Sequence, residues 1–420
     1  MTGVSRDIQQ DVWTLPERDG PKAVSRASLA GLDWLNFFIA NVQTGFGPFI
    51  AVYLTIEKWT QVDIGLVLTI GSLIALAGQI PCGALVDATQ SKREVAAASI
   101  VAIAASALML AVWPVFAMVL AAEIFHGIAS CFFGPTVAAI ALGLVGHAAF
   151  GERLGRNVRF ASVGNGIAAA LMGACGQLVS TRAVFFLTAG LAIPALIALQ
   201  RIRPREIDNA RSRGAPAMPR RFARMVSLPS LAANRPLLIF SLCLLMFHLG
   251  NAAMLPFLGS VVTMRSADWA TALIAACIVV PQIVVAALSP WIGRQAERWG
   301  RHKLLLLGFA ALPLRGVLFA LVSSPYLLVL VQLLDGIAAA VLGVMVPLVV
   351  ADITRGTGRF NLALGVVGTA IGIGASLSTV LAGAVSDSFG SGAMFITLAC
   401  VAAGGLAMVA TLMPETRPQD

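Results

Sequence analysis

GALVDATQSKR (residues 83–93) and GRQAERWGRHK (residues 293–303) stand 210 positions apart and share one plan. Each opens on a glycine (Gly83, Gly293) and carries an acid four residues later (Asp87, Glu297). The first ends on Lys92 and Arg93, and the second carries Arg298, Gly300, Arg301 and Lys303. Both lie between apolar stretches of about 20 residues or more, long enough to cross a hydrocarbon layer as helix. A glycine lets two helix ends approach closely, and an acid there can pair with arginine or meet a neighbouring helix N-terminus. The pair therefore reads as two short turns between membrane helices, each a candidate gate. Other stretches repeat at nearly the same distance. HGIAS (126–130) matches DGIAA (335–339) at 209, GACGQLVSTRAVF (173–185) matches GAVSDSFGSGAMF (383–395) at 210, and Pro48 matches Pro256 at 208. An offset this constant implies duplication of one unit.

The chain has 420 residues, 58% hydrophobic and 12% charged, with mean hydropathy +0.87. Soluble domains carry about twice that share of charge. The apolar excess recurs as twelve spans, at about 30–54, 63–86, 94–112, 115–143, 159–180, 183–201, 236–263, 268–291, 303–322, 326–351, 360–385 and 389–412. The expectation is an all-α polytopic membrane protein. The short alternating segments of a membrane barrel do not appear.

With the N-terminus placed in the cytoplasm, 25 of the 29 Lys and Arg residues fall in cytoplasmic segments, which predicts both termini inside. The opposite side keeps Lys58, Arg182 and Arg265, and Arg315 lies within a span. The net charge of +9 is thus explained by loops beside anionic lipid, with no place for nucleic acid. The basic stretch 202–235 reads as a cytoplasmic linker on the membrane surface, between a six-helix unit at 1–201, with its N-terminal tail, and a second at 236–420. The six cysteines form no CxxC pair and read as packing residues.

The run Gly293, Glu297, Arg298, Gly300, Arg301, with Gly83, Asp87, Lys92 and Arg93 as its partial first copy, resembles the loop signature of the major facilitator superfamily. The first copy departs from it at Ala88 and Gln90. The resemblance covers the whole chain through helix number, central linker and repeat. It implies two pseudo-symmetric six-helix bundles rocking about a central cavity, with helices 1, 4, 7 and 10 lining that cavity. It also implies that Asp87 latches the cytoplasmic side shut. The helix-4 arginine of many drug antiporters is absent, since Glu123 stands four residues before Gly127, and so is their helix-5 Gly-Pro pattern.

Ionisable residues inside spans are costly, by at least about 2.5–3.5 kcal/mol, and mark candidate sites. Glu123 and His126 share one face of helix 4. A carboxyl out of water favours its protonated form, so these two and Asp33 are candidates for proton coupling. The alternative is that Glu123 only braces His126. Asn36, Asn41, Gln43, His248, Asn251 and Asp335 are candidates for the substrate cavity. Arg315 and Asp335 lie equally far from the turn near Pro325, at similar depth in a hairpin, which predicts a buried ion pair. The cavity helices hold no interior Lys or Arg, and Phe37, Phe38, Phe46, Phe49, Phe125, Phe132, Phe133, Phe247 and Phe257 lie near them. That favours neutral or cationic organic substrates over dianions.

The expected function is proton-coupled transport of such molecules across a bacterial inner membrane by alternating access, as an exporter. The alternatives are a symporter importing a nutrient or metal-chelating metabolite, and a non-transporting membrane sensor. No nucleotide-binding loop, zinc motif or nucleophile elbow is present, so no enzyme, cofactor or metal is expected. The proton gradient is the expected energy source and a monomer the expected state.

Overall fold

The computed structural model describes residues 24–44, 48–215, 234–265 and 270–418. Phe46, the tail 1–23, and Arg220, Arg221 and Arg224 of the linker lie outside the described residues. Among those described there are thirteen α-helices and no strand. They are α1 (Arg26–Thr44), α2 (Pro48–Ile56), α3 (Gln61–Ala88), α4 (Lys92–Val112), α5 (Phe116–Val145), α6 (Phe150–Leu178) and α7 (Thr181–Gln200), then α8 (Arg235–Asn251), α9 (Met254–Arg265), α10 (Ala270–Trp299), α11 (Arg301–Leu321), α12 (Pro325–Ile353) and α13 (Phe360–Leu412).

Ten stretches are long and apolar enough to cross a membrane. α13 holds two crossings, because Gly390 (φ 84°) turns the chain between them. α1 with α2 makes the remaining one, so the twelve expected spans are accounted for. The seventh span is in two pieces, α8 and α9. α6 begins nine residues earlier than expected, which carries Arg153 and Arg156 from the anticipated loop onto the helix.

The linker side of the molecule, called here the linker face, is closed by two seams between the halves. In the first, α3 meets the start of α13. A Cβ at Gly83 would overlap the Asn361 carbonyl, and one at Gly365 would overlap the Gln79 carbonyl. In the second, α6 meets α10. Gly151 faces Gly293, Gly155 faces Ser289, and Ser162 Oγ lies 2.9 Å from the Gln282 carbonyl and 2.6 Å from its Oε1. Contacts this close require glycine, as in membrane helix pairs generally. Towards the other face, Gly65, Gly173 and Gly383 have no neighbour within 4 Å of an added Cβ.

The two gate turns are built differently. Asp87 reaches across the first seam. Its Oδ1 accepts from Asn361 N (3.2 Å) and Asn361 Nδ2 (2.8 Å), and its Oδ2 accepts from Leu362 N (2.8 Å). It thus caps the N-terminus of a helix in the other half, where a negative charge is favoured. In the second turn the Glu297 carboxylate lies against Gly151 of the other half but pairs within its own, 3.1 Å from Arg301 Nη2. Arg301 is buried and also binds Asp352 Oδ2 at 2.9 Å and the Ala296 carbonyl at 2.6 Å. Lys92 is buried too and donates to the Val86 carbonyl, the repeat equivalent of Ala296. Arg298 offers its carbonyl to Arg417 Nη1 at 3.5 Å. Gly300 adopts φ 85° at the start of α11, where Glu415 accepts from Arg301 N (2.8 Å) and His302 N (3.1 Å). Burial pushes the Glu415 carboxyl up, but these donors outweigh it and hold it below its ordinary range, so the cap is charged at neutral pH.

The described part of the expected linker is docked against helix ends. Asp208 N donates to the Gly143 carbonyl at 3.1 Å, and the Ser212 carbonyl accepts from Asn361 Nδ2 at 3.1 Å. Gly356 N donates to the Gly214 carbonyl at 2.7 Å. Residues 208–214 therefore tie the end of α5 to the start of α13.

In the second half, Arg315 on α11 meets Asp335 on α12 and donates to Asn251 Oδ1 on α8 at 2.7 Å. Arg315 is fully buried and its guanidinium lies 5.2 Å from the Phe319 ring centroid. Arg315→Leu or Asp335→Leu alone should cost about 3–5 kcal/mol, and the double variant should cost less than the sum. Thermal unfolding of the four proteins in detergent checks this, with additive losses as the contrary result. Gly83→Val should hold the first seam apart. A cysteine placed at Gln79 should then react faster with a membrane-impermeant thiol reagent added at the linker face than in the Gly83 protein.

Candidate functional site

Between the seams lies a cavity of about 430 Å³, the size of a small organic ligand site. α1, α3, α5, α6, α12 and α13 line it, so both halves contribute. Its polar lining consists of the carboxamides Asn36, Gln43, Gln79, Asn157 and Asn165, and no ionisable side chain is among the lining residues. Of the described phenylalanines expected nearby, Phe133 alone lines it.

Asn36 and Gln43 stand where a substrate could touch them. The other residues expected there do not line this cavity. Asn41 is buried and donates to the Phe37 carbonyl at 2.7 Å, against Gly164 of α6. Asn251 and Asp335 are drawn to Arg315. His248 packs edge-on against Phe247, with ring centroids 5.4 Å apart. No residue of α8 is in the lining, although helix 7 was expected to face the cavity.

Asp33 lies seven residues into α1, counted from the linker face, and is 2% exposed. It forms ion pairs with Arg153 and with Arg156, whose Nη2 lies 2.6 Å away. Both arginines come from the early start of α6. The expectation that acids would set the cavity's charge without nearby cations therefore needs correction. Asp33 is neutralised, and Arg153 stands one turn from the cavity lining. Arg153 Nε donates to Asn157 Oδ1 at 2.7 Å, which links the charge cluster to the cavity wall.

Glu123 sits near the other face, one turn below His126 on α5. It is 6% exposed and packs against Gly71 of α3, where any side chain would collide with its carboxyl. Its Oε1 is buried with no hydrogen-bond partner, and no cation is in ion-pair contact with it among the described residues. His126 Nε2 lies 3.2 Å from Ser130 Oγ, one turn further along α5. Asp33 and Glu123 are thus on different helices near opposite faces and do not form one group.

Three residues that carry this geometry were not singled out from the sequence. Asn361 reads as an ordinary polar residue at a helix start. Asn157 and Arg153 fall between the expected spans 115–143 and 159–180, although GERLGRN spaces its polar groups three and four apart, a helical signal.

A profile of the Major Facilitator Superfamily matches residues 32–279 and 240–420. A protein of Mycobacterium tuberculosis (strain ATCC 25618 / H37Rv), named an uncharacterized MFS-type transporter, is 41% identical over 407 residues, 95% of each chain. The multidrug efflux pump LfrA of Mycolicibacterium smegmatis is 29% identical over 135 residues, 32% of this chain and 27% of that protein. The crystal structure of the human organic anion transporter MFSD10 (TETRAN) superposes with a TM-score of 0.62 at 19% identity, covering 91% of this chain and 98% of that one. The duplicated bundles, the glycine seams and the full-length match agree: this chain is a transporter of the Major Facilitator Superfamily.

Proposed function

We propose that the protein exports small organic molecules in exchange for protons, with the linker face in the cytoplasm of a bacterial inner membrane. One observation carries the proton coupling. Other buried or half-buried acids near the seams and bundle cores have a partner that fixes their charge. Asp33 has Arg153 and Arg156, Asp335 has Arg315, Asp352 has Arg301, and Asp87 has the α13 N-terminus. Glu123 has neither a cation nor a helix end among the described residues. A lone buried carboxylate is costly as an anion and binds a proton to avoid that cost. A change of packing at the α3–α5 contact that admits water would release the proton. Glu123 therefore suits a group that loads and unloads a proton once per cycle.

The direction rests on charge and on similarity. The basic residues gather on the linker face, which suits a cytoplasmic side. The partial likeness to a multidrug efflux pump supports export. The uncharged, carboxamide-lined cavity suits organic molecules without fixed negative charge.

Inverted membrane vesicles acidified inside test this reading. Wild type should accumulate an exported compound only while the pH gradient stands. Glu123→Gln, which mimics the protonated acid, should abolish that accumulation while leaving exchange of labelled for unlabelled compound within about twofold of wild type. Full gradient-driven uptake by Glu123→Gln would show that Glu123 is a packing residue.

A further inference from the structure

We propose that Asn157 is the residue that selects the substrate, by donating a hydrogen bond from Nδ2 to an acceptor oxygen of an uncharged molecule. This rests on the reading above that the central cavity is the substrate's route. Asn157 is 4% exposed and lines the cavity on α6. Its two amide atoms are told apart by chemistry. Arginine only donates hydrogen bonds, so the atom 2.7 Å from Arg153 Nε is the oxygen and the other is the NH₂. That NH₂ is buried and has no hydrogen-bond partner among the described residues. A buried donor left unpaired in a cavity wall is uncommon in native proteins and calls for a partner.

The surroundings define that partner. Arg153 is held by Asp33 and directs its Nη1 to the Leu29 carbonyl at 3.4 Å, so its guanidinium is engaged behind Asn157 and does not line the cavity. Its hydrogen bond polarises the Asn157 amide and strengthens the unpaired donor. The matching group is an electron-rich neutral oxygen, such as an amide or ketone carbonyl. A carboxylate would enter a cavity with no cation in its lining, and an ammonium would meet a donor and not an acceptor. Asn36 differs from Asn157 in that one N–H of its Nδ2 is already given to the Leu32 carbonyl at 2.7 Å.

The test uses the full chain in detergent and a defined probe set: aromatic amides and ketones, with size-matched quaternary ammonium compounds that lack oxygen. Binding is read as the thermal shift against concentration. Wild type should be stabilised by carbonyl compounds in the set. Asn157→Asp keeps the acceptor for Arg153 and nearly the same shape but removes the donor. It should weaken carbonyl binding at least about tenfold, with a gain of ammonium binding that a purely structural role would not produce. Asn157→Leu should lose the carbonyl shift without gaining the ammonium one. Ala161→Trp fills the cavity and should abolish both. Carbonyl binding that is absent from wild type, or unchanged in Asn157→Asp, would overturn the assignment of Asn157. Carbonyl binding that survives Ala161→Trp would instead remove the cavity from the route.

Discussion

The carboxylate of Asp87 joins the two halves of this transporter at one point, by binding two backbone amides and one side-chain amide at the start of α13. Much of the linker-face architecture follows from that contact. For the carboxylate to reach, α3 and α13 must touch backbone to backbone, which requires Gly83 and Gly365. Asn361 is engaged on both sides, by Asp87 and by the Ser212 carbonyl, so the docked linker and the first seam share a residue. The second seam closes on Gly151, Gly155 and Gly293, with the Ser162 hydroxyl bonded to Gln282 in place of a carboxylate cap. The repeat has thus kept the glycines in both halves and given the cross-half carboxylate to one.

The same economy governs charge inside the bundles. Asp33 with Arg153, and Asp335 with Arg315, place opposite charges where a single one would be too costly. These pairs leave the cavity wall uncharged and lined by carboxamides. Glu123 departs from the pattern, and it does so near the face opposite the closed seams. A protonatable group on one side and a latch on the other is an arrangement in which proton loading and gate opening can alternate.

The fold was legible because its determinants are long-range in composition and short-range in sequence. Apolar runs set the crossings, and the 210-residue offset between GALVDATQSKR and GRQAERWGRHK exposed the duplication. The contact between Arg315 and Asp335 could be anticipated because a hairpin converts equal sequence distance from Pro325 into equal depth. The site was harder. Asp33 looked like a free intramembrane acid because its partners stand 120 and 123 residues away, on a helix whose charged first turns resemble a loop. Asn361 carries no local signature, since its significance comes from what another helix brings to it, and the spacing in GERLGRN marks Asn157 as helical without showing that it lines a cavity. The offset also misled at these turns, because Asp87 and Glu297 occupy equivalent positions, yet Asp87 is hydrogen-bonded to the other half while Glu297 is paired with Arg301 of its own.

The central claim is that the Asp87 cap holds the linker face shut and must break for the transporter to open there. Spin labels at Gln90 and Arg355 report on that face, and labels at Val62 and Val380 report on the other. Double electron–electron resonance should give a single short Gln90–Arg355 distance in the closed protein. With Asp87→Asn, a longer Gln90–Arg355 population should appear together with a shorter Val62–Val380 one. Distance distributions identical to those of the Asp87 protein at both label pairs would contradict the account.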